Sequence, residues 1–97
     1  MTVRTTRTSD RHIEEVDAWW RAHRTKAPDL FLDELADAFA LIEAAPELGR
    51  PWTESEVPGV RRVVMRATRY HVYYRVDGEG VVVLAVWSAV RGRGPRL

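Results

Sequence analysis

Three runs, Val60-Arg61-Arg62-Val63-Val64-Met65-Arg66-Ala67, Tyr70-His71-Val72-Tyr73-Tyr74-Arg75-Val76 and Val81-Val82-Val83-Leu84-Ala85-Val86-Trp87, combine a two-residue period with many β-branched and aromatic side chains. That pattern predicts three strands. Thr68-Arg69 leaves room only for a tight turn between the first two, and Asp77-Gly78-Glu79-Gly80 is a strong hairpin signal between the second and third. Connections this short force antiparallel pairing. The last run is apolar at nearly every position, so it needs cover on both faces, from helices on one side and from a Trp-bearing loop or a partner on the other.

Working upstream, Pro51, Pro58 and Gly59 mark residues 50–59 as a loop. Before it, Leu30, Phe31, Leu35, Ala38, Phe39 and Ile42 form one helical stripe, with Pro28 at the helix N1 position and Pro46 and Gly49 closing the helix near residue 45. An earlier helix is expected over residues 10–24, opened by the capping candidates Thr8, Ser9 and Asp10 and carrying Ile13, Val16 and Trp20 on its inner face. The short break Thr25-Lys26-Ala27-Pro28 makes the two helices an antiparallel hairpin, and Val3-Arg4-Thr5-Thr6 reads as an edge strand. The predicted class is therefore α+β, in the order β-α-α-β-β-β, with the N-terminal strand and the helical hairpin packed on an antiparallel sheet. Residues 1–97 form one domain, and the Gly-interrupted basic tail 91–97 is expected to be mobile.

The chain has 97 residues, 45% of them hydrophobic, and no cysteine, which excludes a disulfide framework, a thiol nucleophile and a Cys-ligated zinc. No apolar run approaches the ~20 residues of a membrane span, and Met1-Thr2-Val3-Arg4 opens no signal-peptide pattern, so a cytoplasmic location is expected. Fifteen basic residues nearly balance fourteen acidic ones, but they are unevenly placed. Up to Leu48 there are six basic and ten acidic side chains, a balance of −4; from Gly49 onward nine Arg face four acidic residues, a balance of +5. An acidic helical half thus precedes a basic sheet half, and 14 of the 15 basic residues are Arg, the side chain suited to bidentate contact with phosphate or carboxylate.

Alternation places Arg62, Val64 and Arg66 on one face of the first long strand and projects His71, Tyr73 and Arg75 together from the next. Such an Arg/His/Tyr surface suits gripping phosphates, stacking bases or binding an acidic peptide, and it is equally the ordinary solvated face of an antiparallel sheet. His71 has the proton chemistry of a general acid or base; an idle strand histidine fits the same residues. His12 and His23 lie about three helical turns apart, too far to share a metal. Trp20 belongs to the core, Trp19 is partly exposed, Trp52 is a lid over the sheet or a partner anchor, and Trp87 closes the core with its indole N–H on a carbonyl. There is no phosphate-binding loop, dinucleotide fingerprint, nucleophile elbow or paired-carboxylate constellation, and neither cofactor nor metal is expected.

The order β-α-α-β-β-β, the helix-ending Pro46-Glu47-Leu48-Gly49, and Val60-Arg61-Arg62 leading into Tyr70-His71-Val72-Tyr73-Tyr74-Arg75-Val76 resemble the RelE/ParE toxins of bacterial type II toxin–antitoxin modules. The likeness spans essentially the whole chain, through Val81 to Trp87 and the Arg91-Gly92 segment. It implies a small toxin neutralised by a cognate antitoxin that wraps its helices and sheet. One branch of that family cuts mRNA on the ribosome without a metal, and the other inhibits DNA gyrase. Residues of the nuclease branch correspond here to Arg62, Val64, His71, Arg91 and Leu97, so one of two alternate Lys becomes Val64 and the C-terminal Tyr becomes Leu97. These departures remove phosphate stabilisation and a proton-transfer group, and they favour the ParE-like branch. On the gyrase reading the contact residues are Arg62, Arg66, Tyr73, Arg75, Arg91 and Arg93. On the nuclease reading Arg62 and Arg91 bind phosphates and His71 moves a proton. A third reading is a non-toxic member that only binds a protein partner.

Overall fold

Thr6 opens the main helical layer earlier than residue 10. Its hydroxyl accepts from the Ser9 amide at 3.1 Å and the Ser9 hydroxyl accepts from the Thr6 amide at 2.9 Å, a capping box that starts α1 (Arg7–His23) and buries Ser9 completely. The computed structural model describes residues 2–97. In it α1 follows β1 (Thr2–Thr5) and precedes α2 (Leu30–Ala44), a single 3₁₀ turn (Pro46–Leu48), β2 (Arg50–Pro51), β3 (Arg61–Met65), β4 (Tyr70–Asp77) and β5 (Gly80–Ser88). Pro28 lies in the turn before α2, whose first helical residue is Leu30. Phe31, Leu35, Ala38 and Ile42 are the buried stripe of that helix.

The five strands form one sheet in the order β1-β5-β4-β3-β2. The three predicted strands pair antiparallel as expected, but the sheet is mixed because β1 runs parallel to β5 from Thr2 opposite Gly80 to Thr5 opposite Val83. A tight turn dictates direction only to the strands it joins. β1 reaches β5 through the whole helical layer, so the connection leaves its direction free. The segment read entirely as a loop also contributes β2, where Arg50 and Pro51 pair with Arg62 and Arg61. Two residues carry no period for a sequence pattern to reveal. At the β4–β5 hairpin, Gly78 has φ +63° as the first of the two turn residues, the type II′ arrangement that glycine permits.

Two cores lie on opposite faces. Under the helices pack Trp20, Phe31, Leu35, Ile42, Met65, Val72, Tyr74, Val81, Val83 and Val86. On the other face Trp52, Val60, Tyr73 and Ala85 form a smaller cluster, supported by Val57, Leu84, Trp87 and Leu97. The β4–β5 register slips between Tyr73, opposite Ala85, and Tyr74, opposite Val83, leaving Leu84 as an extra residue. The second core explains the apolar composition of β5: α1 covers one side, and the Trp52 loop with the C-terminal tail covers the other. Among the described residues no helix is long and apolar enough to cross a membrane.

The tail has contacts that its Gly-rich, basic composition did not suggest. Pro95 is buried, the Trp87 indole N–H donates to the Arg93 carbonyl at 3.0 Å, and the Leu97 carbonyl accepts from the Glu56 amide at 3.3 Å. Gly94 lies so close to Trp52 that an added Cβ would sit 2.5 Å from Cζ2.

Candidate functional site

Tyr74 and Arg61 fix the floor on which the site is built. The Tyr74 hydroxyl, kept neutral by burial that raises its pKa, donates to the Pro46 carbonyl at 2.6 Å and accepts from the Gly49 amide at 2.9 Å. A Cβ at Gly49 would collide with that hydroxyl, so glycine here is set by close approach. Arg61 donates to the Gly49 carbonyl at 2.8 Å, which ties it to the 3₁₀ turn. At the other end of the hairpin, Glu34 of α2 accepts from the Ala67 amide at 2.8 Å, the Thr68 amide at 2.9 Å and the Thr68 hydroxyl at 2.6 Å. The β3–β4 turn, with Arg69 in the left-handed region at φ 65°, is thereby held to the helical layer.

On the opposite face a cleft of about 380 Å³ opens between the sheet, the 51–54 segment and the start of the tail. Arg62 from β3, His71 and Tyr73 from β4 and Arg91 and Arg93 from the tail line it together. Arg62 stands opposite Tyr73 in the ladder, and its Nη1 donates to the Tyr73 hydroxyl at 3.4 Å. The His71 and Tyr73 rings meet edge-on at 5.9 Å. Burial, and then the neighbouring Arg62 guanidinium, lowers the His71 pKa and favours a neutral imidazole. Arg91 lies over the Trp87 ring at 4.5 Å from its centroid. His12 meets the same ring edge-on at 5.5 Å and accepts from the Val86 amide at 3.3 Å.

Arg62 and His71 also line a second, adjoining groove of about 600 Å³, where Arg66 and Arg50 stand beside Leu41, Leu48 and Val64. Those three apolar residues are 47%, 56% and 46% exposed, a concentration next to cationic side chains. Beyond β2 the outer edge of β3 carries no strand partner at Val63, Val64 and Met65 among the described residues. Arg75, also singled out from sequence, pairs across to Val82 past the register slip and lines neither opening. Glu54, Ser88 and the packing role of Gly94 escaped sequence reading, because they approach the cleft from a loop and chain segments without periodicity. Among the described residues no group of three or more His, Asp or Glu is arranged to hold a metal ion.

Compared with known families, residues 3–92 match the model of the ParE toxin of the type II toxin–antitoxin system, parDE. The chain belongs to the ParE toxin family. The fold of this ParE-family chain is also similar to that of a solved chain described as "Chromosomal ParDE TA system from P. aeruginosa", with a TM-score of 0.64 and 22% identity over 91% of this chain and 95% of that one. None of the curated proteins compared with the chain matches it. The RelE/ParE resemblance read from the motifs is thus a family membership, and the two cationic openings belong to a ParE-family type II toxin fold.

Proposed function

We propose that the chain is the toxin of a bacterial toxin–antitoxin module, held inactive in the cytoplasm by a cognate antitoxin, and that when free it acts by binding and inhibiting DNA gyrase. The ParE family match over residues 3–92 is the observation that carries this reading. Two substitutions add support. Val64 and Leu97 stand where the nuclease branch carries a cation and a phenol, and here Val64 is an exposed edge residue while Leu97 packs against the second core. Arg62, Arg66, Arg75, Arg91 and Arg93, with Tyr73, are the proposed contacts to target. An acidic, extended antitoxin segment suits the groove beside the open edge of β3, where backbone pairing at Val63 to Met65 adds to the apolar contacts of Leu41 and Leu48.

Supercoiling by purified gyrase tests the target. Inhibition that disappears when antitoxin is added is the expected result, and full supercoiling at high toxin excess rejects the proposal. Unimpaired growth on overexpression would favour a protein-binding role alone. One observation favours a second reading, ribosome-dependent mRNA cleavage: His71 lines the cleft beside Arg62, and burial and then that guanidinium lower its pKa, favouring a neutral imidazole that can accept a proton. On that reading transcripts are cut in a translating extract and stay intact with His71→Ala; equal cutting by the variant excludes His71 from the chemistry.

A further inference from the structure

Trp87 is held from three directions. The His12 ring of α1 meets it edge-on at 5.5 Å, the Arg91 guanidinium lies 4.5 Å from its centroid, and its indole N–H donates to the Arg93 carbonyl at 3.0 Å. His12 is attached to the same strand a second time. β1 ends with Thr5 opposite Val83, so no strand lies beside Val86 on that side, and the Val86 amide donates instead to His12 Nδ1 at 3.3 Å. Only the neutral imidazole has a lone pair there. The two surface hollows that His12 borders are lined by mostly cationic side chains: Arg11 and Glu15 come from α1, Tyr70 from β4, and Arg91, Arg93 and Arg96 from the tail, while β5 brings no group that titrates. Glu15 is the one carboxylate among them. Burial, then Arg11, lowers the His12 pKa; Glu15 opposes, and Arg91 lowers it further.

We propose that His12 is an acid-sensitive latch: neutral, it holds the 91–97 tail against β5 through Trp87, and protonated, it releases the tail while the rest of the fold stays intact. An imidazolium sets an N–H against the Val86 N–H and places a second cation beside the ring that Arg91 already occupies. Arg91, Arg93 and Arg96 then face a positive charge, with Glu15 alone to offset it. Relief comes at the element with least holding it. α1 packs along β5, whereas the tail is seated by the Trp87 indole on the Arg93 carbonyl, Gly94 on Trp52, buried Pro95 and the Leu97 carbonyl on the Glu56 amide. His12 binds a proton better with the tail released than with it docked, so by linkage acid favours release. The docked tail also walls the 380 Å³ cleft from Arg91 to Gly94 and covers the second core beside Trp52. Release therefore opens that cleft, whatever macromolecule the toxin acts on.

A pH titration of the full chain, followed by amide and imidazole NMR, tests the latch. Between about pH 8 and about pH 5 the heteronuclear NOEs of residues 92–97 are expected to fall to those of a flexible segment. The Glu56 amide, which donates to the Leu97 carbonyl, should lose about tenfold in exchange protection after correction for the intrinsic rate, the size of one hydrogen bond. Val72, fully buried in the sheet, should keep its protection over the same range, which separates release from unfolding. The midpoint should coincide with the His12 titration. His12→Asn puts a carbonyl oxygen that does not titrate in the place of Nδ1, and its tail should stay docked at every pH. His12→Lys stays cationic, and its tail should be free even at about pH 8 while the helices keep their circular dichroism signal. His71→Gln removes the imidazole from the cleft that the tail walls and should leave the transition in place. The proposal is overturned if the tail amides are unchanged through the His12 titration, if His12→Asn releases its tail as the parent does, if His71→Gln abolishes the transition, or if Val72 loses protection together with Glu56.

Discussion

Glu34 does more than an acidic residue on a helix face suggests. Burial pushes its carboxyl pKa up, but the Thr68 hydroxyl and the Ala67 and Thr68 amides outweigh that and hold it below the usual value. A carboxyl lowered on folding stabilises the native state above its unfolded pKa, and that contribution is lost as pH falls through the folded one. Glu34→Gln replaces one acceptor oxygen with an NH₂ that opposes the turn's donors. A loss of about 1–2 kcal/mol is expected, read from urea unfolding at neutral pH, with a smaller difference from the parent in acid. His12 acts in the same direction. Burial first, then Arg11 and Arg91, lowers its pKa from 6.5, with Glu15 opposing, and its ring accepts from the Val86 amide only while that nitrogen is unprotonated. Unfolded chains therefore take up the proton first, and stability should fall as pH drops below 6.5 toward the folded pKa. An imidazole NMR titration placing the His12 midpoint at or above 6.5 would contradict this.

At the scale of elements, the three long strands and both helices could be read because their periods are sustained over many residues. β3, β4 and β5 fall where alternation put them, and Phe31, Leu35, Ala38 and Ile42 form the helical stripe. The site's Arg62, His71 and Tyr73 were legible for the same reason: alternation sent them to one face, and the ladder sets Arg62 against Tyr73. Shorter or non-local features left no period. Thr6 caps α1 through a partner three residues away, β2 has two residues, and the direction of β1 is set by a strand some eighty positions later. The tail depends on packing that composition does not encode. Gly94→Val should drive the tail away from Trp52, raising cleavage after Arg91 and Arg93 by limited trypsin and altering Trp fluorescence, while α1 and α2 keep their circular dichroism signal. Unchanged proteolysis would show that Gly94 is not what seats the tail.

Across the whole molecule, near-neutral net charge conceals a division between an acidic helical half and a basic half that supplies the cationic side chains of both openings. Electrostatic attraction between such a surface and an acidic antitoxin segment is screened by salt and contributes most to the rate of encounter. Replacing Arg62 and Arg91 by Ala should flatten the dependence of antitoxin affinity on ionic strength and reduce the association rate more than it raises the dissociation rate. Kinetics measured by surface plasmon resonance across a salt series provide the check; an unchanged slope would move the contact away from this face.

The parallel pairing of β1 with β5 also orders events in time. β5 is inserted between the first strand and the β3–β4 hairpin, so nothing made before residue 80 can close the sheet. A ribosome synthesises from the N-terminus, and the helical layer therefore waits without its principal support until residue 88 has emerged. The cleft of about 380 Å³, lined by Ser88, Ala89 and Arg91 to Gly94 as well as by the sheet, is therefore among the last features of the molecule to be completed.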